Sequence, residues 1–343
     1  MKKKVTVTTA DVARRAGLSK MTVSRVLNDH PYVSSETRQR VMKAVEELGF
    51  TPNTLAKRFF TGKTQLIGMI MPVEYMFSSY YFKDLFRGVM ECLEERNFDL
   101  LLHDSKSRRI APMDKARALV KGRLVDGLLV VAPMSYDEYP ATLTEEGIPM
   151  VVMGETLHAA RVFRVGINNR KSTADAVSHL VELGHRNIGM LTFDGGHIEA
   201  YQRTRGYQDA LKKAGIATSR IGVGHYQKRE AYEETLRLLE EHPEITALFA
   251  ANAEMTMGVL DALKHLQKKI PGDISLIAFD DCEEWEQYSP PISAIRQDPY
   301  KIGTEAARML TDILESKTQQ KPTQKMIPTE YIERASVAPP RNG

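Results

Sequence analysis

The strongest constraint in this sequence is a repeating texture that begins at Leu66. Leu66–Met71 (LIGMIM) is a short apolar run stopped by Pro72. A run apolar at every position suits a strand buried on both faces, as in a parallel sheet. An amphipathic helix is expected over 81–97, a strand over 100–103, a helix over 113–121 and a strand over 125–131. A helix over 136–146 and a strand at Met150–Met153 close this first pass. Strands alternating with helices predict a doubly wound parallel sheet. The pattern then restarts: 162–167 leads in, and 171–183 is helical up to Gly184. Next come a strand over 188–193, a helix over 200–213 closed by Gly215, and a helix over 230–241. Strand 246–249, helix 255–267 and strand 274–279 complete the second pass, with one more helix over 298–317 and a strand-like piece over 325–334. Two consecutive α/β halves predict two lobes, with a cleft where the carboxyl ends of their sheets face each other.

The stretch ahead of Leu66 has a different texture. Residues 8–28, TTADVARRAGLSKMTVSRVLN, read as two short helices around a tight turn. Thr8 or Thr9 caps the first, whose apolar positions Val12, Ala13 and Ala16 share one face. Gly17 supplies the turn, because glycine takes positive φ without steric cost. Ser19 caps the second helix, Lys20–Leu27, in which Val23, Val26 and Leu27 form the inward stripe. Lys20, Met21, Ser24, Arg25 and Asn28 then point outward. Such a face suits the DNA major groove: arginine reads guanine bidentately, while serine, threonine and asparagine hold phosphates. Residues 33–50, VSSETRQRVMKAVEELGF, predict a third helix, capped by Ser34 or Ser35, with Val41, Val45 and Leu48 spaced to cover the first two. Pro52 breaks the chain, and 53–61 (NTLAKRFFT) reads as one more short, basic and apolar turn.

Charge supports that division. Residues 1–63 hold 13 Lys and Arg against 5 Asp and Glu, a balance of +8. The whole chain carries +3, so the remainder carries −5. A basic head on an acidic body is the electrostatic footprint of a nucleic-acid binder whose bulk avoids the polyanion. A length of 343 residues suits two or three domains, and no apolar run approaches the roughly 20 residues of a membrane helix. The amino terminus lacks the apolar core of a signal peptide, so a cytoplasmic protein, nucleoid-associated when bound to DNA, is expected. Cys92 and Cys282 stand alone and far apart, as small hydrophobes in a reducing compartment would.

The run TVSRVLN, then VS..TR..V, then ELGFTPN..A, resembles the amino terminus of the LacI/GalR family of bacterial repressors, and the resemblance continues through nearly the whole chain. It implies an all-α helix-turn-helix head over 1–52, a hinge helix over 53–63 and a two-lobed α/β core, periplasmic-binding-protein-like, over 64–343. Lobe 1 would comprise about 64–165 and 295–324, and lobe 2 about 166–294 and 325–343, with crossings near residues 165, 294 and 325. In the recognition helix, Lys20, Met21 and Arg25 are the expected base contacts, and Ser19, Thr22, Ser24 and Asn28 the expected phosphate contacts. The resemblance adds hinge contacts from Asn53, Ala56 and Phe59. The family usually places Leu where Phe59 stands, as a wedge in the minor groove, and Phe is an accepted wedge elsewhere.

A small effector is implied between the lobes. Tyr81 and Phe82 match the aromatic pair that lines many such clefts, Arg203 in RTRGY the arginine that reaches the ligand, and Asn252 the asparagine of the A-N-D run. Asp280 matches the aspartate of the F-D-D run, and Trp285, the only tryptophan, could stack on a sugar's C–H face. Carboxylate, guanidinium and amide would bond hydroxyls while aromatic walls cover the ring. Three departures fall near the pocket mouth: Ala253 where Asp is usual, Asn168 where Asp often stands, and a longer segment between Pro72 and Tyr81.

An enzyme of the doubly wound class acting on a sugar is a weaker competitor, because no nucleophile–base pair or cofactor fingerprint appears. Gly62–Lys63–Thr64 lacks the earlier glycine of a phosphate loop, since Lys57 stands there. His103, Asp104 and Ser105 are adjacent in sequence, where side chains do not converge into a triad. Asp280 and Asp281 have no accompanying His or Cys ligand pattern, and no cofactor fingerprint or metal site is expected. The chain therefore reads as a homodimeric repressor of a pseudo-palindromic operator, controlled by a sugar or sugar derivative. Control by a nucleobase or a protein co-regulator is the alternative, and a transporter-associated sugar-binding protein is a weaker one. The tail, ending ASVAPPRNG, has no apolar heptads and predicts no added tetramerisation helix.

Overall fold

The computed structural model describes residues 7–27, 32–50, 63–73, 79–105, 111–131, 138–156, 159–193, 196–316, 318 and 320–341. The chain divides into two compact units, 1–64 and 65–343. In the first, α1 (Thr9–Ala16), α2 (Lys20–Leu27) and α3 (Ser35–Leu48) surround a small core of Val12, Ala13, Ala16, Val23, Val26, Val41 and Ala44. Asp11 starts α1 by accepting from the Thr8 backbone N–H at 3.0 Å and its hydroxyl at 2.7 Å. These bonds, with Arg14 and Lys20 nearby, hold the Asp11 carboxyl below its usual range. Gly17 closes α1 in the left-handed region at φ 64°. Arg40 of α3 donates to the Ala16 carbonyl at 2.9 Å, which pins the third helix to that turn.

The second unit holds, in chain order, β1 (Leu66–Met71), α4 (Tyr80–Glu95), β2 (Asp99–Asp104), α5 (Pro112–Lys121), β3 (Gly127–Val131), α6 (Tyr139–Glu145), β4 (Met150–Met153) and β5 (Phe163–Gly166). There follow α7 (Asn169–Glu182), β6 (Ile188–Thr192), α8 (Ile198–Lys213), β7 (Arg220–Val223), α9 (Lys228–Glu241), β8 (Ala247–Ala250), α10 (Ala253–His265) and β9 (Ser275–Phe279). Then come α11 (Glu284–Gln287), β10 (Ser293–Arg296), α12 (Pro299–Glu315), β11 (Gln324–Met326) and β12 (Glu330–Ile332). Two six-stranded sheets result, in the orders β11-β5-β4-β3-β1-β2 and β12-β10-β9-β8-β6-β7. Every pairing is parallel except β10 with β12. Strands β1, β3, β4, β6, β8 and β9 are apolar and buried almost throughout, which is what helices on both sheet faces demand.

The chain passes between the lobes three times: after β5, between β10 and α12, and between β11 and β12. Two strands escape the sequence pattern. β7 is an edge strand, half-exposed and opened by Arg220, and β10 (SAIR) is too short and too small in its side chains to stand out. The single piece expected over 325–334 is in fact two strands, one in each sheet.

Close helix pairs clamp the sheets. α4 and α12 touch where Gly88 and Gly303 face each other's backbone: a Cβ on Gly303 would lie 2.2 Å from the Leu85 carbonyl oxygen, and one on Gly88 2.1 Å from that of Tyr300. Gly303→Ala therefore forces the helices apart although alanine is the better helix former. A loss of about 1–3 kcal/mol in urea unfolding is expected. An unchanged midpoint would mean that the pair is not tightly packed.

Candidate functional site

Two surfaces carry chemistry, one in each unit. In the head, the Ser19 hydroxyl accepts the Thr22 backbone N–H at 3.0 Å and so caps α2, and it pairs with the Thr22 hydroxyl at 2.9 Å. Val23 and Val26 point into the core, while Ser19, Lys20, Ser24 and Arg25 are exposed and Thr22 is half-buried. Met21 is 65% exposed, so its thioether lies on the same outward side of the helix. Two cations, hydroxyls and a thioether thus share one outward helix. Asn28, Asn53, Ala56 and Phe59, with residues 53–62 of the expected hinge helix, lie outside the described residues.

In the second unit a cavity lies between the two sheets, lined by residues of both lobes. Parallel topology places it. Met153 and Gly154 end β4, Gly166 and Ile167 end β5, and Ser79, Tyr81 and Phe82 lie at the start of α4, which follows β1. From the other lobe come Glu199 and Arg203 of α8, Tyr226 after β7, Asn252 and Glu254 after β8, and Asp280 after β9. Every one lies at a strand's carboxyl end or in the segment that follows it. In both sheets the order reverses between neighbouring strands, β1 with β3 and β6 with β8, where open α/β sheets form their crevice.

The structure brings Tyr81, Phe82, Arg203, Asn252 and Asp280 around this one cavity. Tyr81 and Phe82 meet edge to face, with ring centroids 5.3 Å apart. Burial, with the negative charges of Glu199 and Asp280, keeps the Tyr81 phenol protonated. Arg203 is held on three sides. Its Nε donates to Asn169 Oδ1 at 2.8 Å, one terminal nitrogen donates to the Ala251 carbonyl, and its carbon sits 3.5 Å from the centroid of the Phe279 ring. Asn252 caps α10 by accepting the Met255 N–H at 2.8 Å, and its amide donates to Glu254 at 2.8 Å.

Asp280 follows β9 at φ 73°, a left-handed backbone that turns its carboxylate toward the cavity, where Gln297 donates to it. Its neighbour Asp281 faces elsewhere and pairs with Arg334 and Arg296, each at 2.7 Å. The two carboxylates are therefore not a catalytic or metal pair, and the described residues contain no His, Cys, Asp and Glu group fit to hold a metal ion. Trp285 differs from expectation. It is fully buried in the core of the second lobe, and its Nε1 donates to the Asp280 carbonyl at 2.8 Å. Large apolar rings are drawn into whichever core is nearest, so Trp285 supports the Asp280 turn from behind and does not line the cavity.

Sequence reasoning missed Glu199 and Glu254. Both sit in the first turn of a helix that follows a strand, and that position was the available signal. Burial pushes both carboxyls up, Glu254 to about 7 with the Asp280 charge adding to the effect, and Glu155 adding to that on Glu199. Asp280 is also raised by burial, against the pull of Arg203 and the Gln297 amide. Glu199 Oε1 accepts the Glu155 N–H across the cleft at 3.1 Å, whereas Glu199 Oε2 and Glu254 Oε1 are buried with no hydrogen-bond partner. A second bridge between lobes runs from the Tyr80 hydroxyl to Glu284. Buried unsatisfied oxygens are expensive and rare in folded proteins.

That cost has a pH signature. A carboxyl whose folded pKa is raised from 4.5 to about 7 favours folding fully below pH 4.5, and the advantage is lost as pH rises through 7. Glu254→Gln should therefore stabilise the ligand-free protein by about 1–3 kcal/mol at pH 8 and leave it nearly unchanged at pH 4.5. Thermal unfolding at the two pH values checks this.

Residues 8–53 match the family of bacterial regulatory proteins of the lacI type, and residues 177–337 match a periplasmic binding protein-like domain. The chain is 31% identical over 291 residues to the HTH-type transcriptional regulator AscG of Escherichia coli K12, covering 84% of this chain and 86% of that protein. Among solved structures it is similar to a transcriptional regulator CelR–cellobiose complex, with TM-score 0.73 and 28% identity over 96% of this chain and 100% of that one. Its fold is shared by a lac repressor dimer bound to operator and the anti-inducer ONPF, with TM-score 0.84 and 24% identity over 97% of this chain and 99% of that one. No helix among the described residues is long and apolar enough to cross a membrane. The chain belongs to the lacI family of bacterial regulatory proteins and is a non-enzymatic, DNA-binding transcriptional regulator with a helix-turn-helix head and a periplasmic-binding-protein-like core.

Proposed function

We propose that this regulator is a repressor, binding a pseudo-palindromic operator as a homodimer and controlled by a small hydroxylated effector, a sugar or sugar derivative, in the inter-lobe cavity. The observation that carries the reading is the cavity's make-up. Donors and acceptors from both lobes converge at the strand ends, Tyr81 and Phe82 form an apolar wall, and hydrogen bonds already cross between the lobes beside it. The cellobiose held by the similar CelR regulator favours a carbohydrate. On this reading Arg203, Asn252 and Asp280 bond ligand hydroxyls, and Trp285 fixes the Asp280 turn. Residues 1–52 form the DNA-binding head, 53–63 the hinge, and 64–343 the effector-binding and dimerising core.

In the head, Lys20, Met21 and Arg25 reach base edges, Met21 through apolar contact of the kind a thymine methyl accepts. Ser19, Thr22, Ser24 and Asn28 hold phosphates, and Asn53, Ala56 and Phe59 act in the hinge at the minor groove. Effector binding changes the lobe angle, and with it the separation of the two hinges in the dimer. The shift in DNA affinity is limited by the difference in the effector's affinity for the two lobe arrangements. Control by a nucleobase or a protein co-regulator leaves the head's role unaltered and is separated by the choice of ligand.

Two measurements test this. Operators selected from random duplexes should be two-fold symmetric, and Arg25→Ala should cost about 1–3 kcal/mol and relax preference at one position of each half-site. An asymmetric consensus would refute the dimeric reading. A sugar at about a hundred times its dissociation constant should stabilise the protein by roughly 2.7 kcal/mol. Arg203→Ala should abolish that shift. Silence toward sugars with a response to a nucleobase would transfer the effector role to that class.

A further inference from the structure

Among the described lining residues of the cavity the charges are unbalanced. Glu199, Glu254 and Asp280 face it against a single cation among the described lining residues, Arg203. That guanidinium is already committed to Asn169, to the Ala251 carbonyl and to the Phe279 ring. Asp280 accepts from Gln297 and from the Ala253 backbone N–H, but Glu199 Oε2 and Glu254 Oε1 are buried without partners. Resting on the reading of this cavity as the effector site, we propose that its ligand carries a protonated amine beside its hydroxyls, as an unacetylated amino sugar does, and that sugar phosphates and sugar acids are excluded.

A neutral sugar could donate hydroxyl protons to the two orphaned oxygens, yet the carboxyls would have to go on holding the protons that offset their charge. An anion would add to that charge inside a site with little water. An ammonium group supplies up to three donors and the missing charge together. Tyr81, Phe82 and Tyr226 lie in the cavity wall, and an aromatic face turned to a ligand attracts cations rather than anions. Without ligand, the cavity meets its excess by holding protons, which is why burial and mutual repulsion leave Glu254 with a pKa of about 7. Among the described residues, the other charged or titratable groups near these carboxylates do not redress the balance. Glu155 adds a carboxylate beside Glu199 and is itself paired with Arg164 at 2.7 Å, Tyr80 and Tyr81 are held as neutral phenols, and His197 packs edge-on against Tyr226.

The test uses the full-length chain and matched hexose sets in the gluco, galacto and manno series: parent sugar, 2-amino sugar, N-acetylated amino sugar and 6-phosphate. Thermal unfolding screens the sets and calorimetric titration at neutral pH ranks the hits. In at least one series the 2-amino sugar should bind about tenfold or more tighter than its parent, the increment expected of one charge-assisted hydrogen bond. Acetylation, which removes the charge, should erase that preference, and the 6-phosphate should give no shift. Glu199→Gln and Glu254→Gln should each shrink the amino-to-parent ratio by about tenfold, with their unliganded melting curves reporting that the fold is intact. A parent sugar or 6-phosphate that binds as well as the amine, or a ratio unmoved by both variants, overturns the inference and leaves the effector reading standing. No response from any series removes the carbohydrate reading and this inference with it.

Discussion

Parallel pairing forces the strands of a sheet to end at a common edge, because each must be re-entered by a crossover that begins where the last one stopped. In this protein the constraint acts twice. The carboxyl edges of two sheets confront each other across one cleft, and the residues that follow the strands become its lining whatever their local conformation. The three passages of the chain between lobes tie the sheets into one unit. A change in the angle between them therefore has to move several strand ends together, which suits a cavity to sensing a ligand held from both sides.

Arg203 shows how such a cavity is kept ready. A mobile arginine would lose side-chain entropy when it gripped a ligand, but here Asn169, the Ala251 carbonyl and Phe279 already fix the guanidinium. The carboxylates are arranged the other way. Glu199 and Glu254 are buried with orphaned oxygens and raised pKa values, an arrangement that costs stability in the empty protein. Preorganised cation and unsatisfied anions together leave binding energy to be realised only when a ligand with donors arrives. Folding alone offers no reason to keep them.

Much of this was legible in the sequence, for identifiable reasons. Runs such as LIGMIM mark strands buried on both faces, and the restart after residue 162 marks the second lobe. The stripe Val23, Val26 and Leu27 leaves a polar face on α2 that composition alone would not suggest. Tyr81, Phe82, Arg203, Asn252 and Asp280 stand in motifs whose resemblance placed them near one another. Trp285 was misplaced because a tryptophan's chemistry does not say which side of a turn it packs against. Glu199 and Glu254 were missed because a glutamate in a helix's first turn is ordinary capping electrostatics. Only the tertiary arrangement shows that they face a cavity. β7 and β10 escaped because an edge strand and a strand of small residues carry no apolar run.

The central claim is that the inter-lobe cavity and the DNA-reading head are energetically coupled, and coupling between binding sites is reciprocal. The most direct measurement is the effector's dissociation constant for the full-length protein, free and saturated with its selected operator. The account predicts that operator changes effector affinity by the same factor by which effector changes operator affinity, about 5- to 150-fold in either direction of control. An effector that binds with one affinity whether or not operator is present would contradict it.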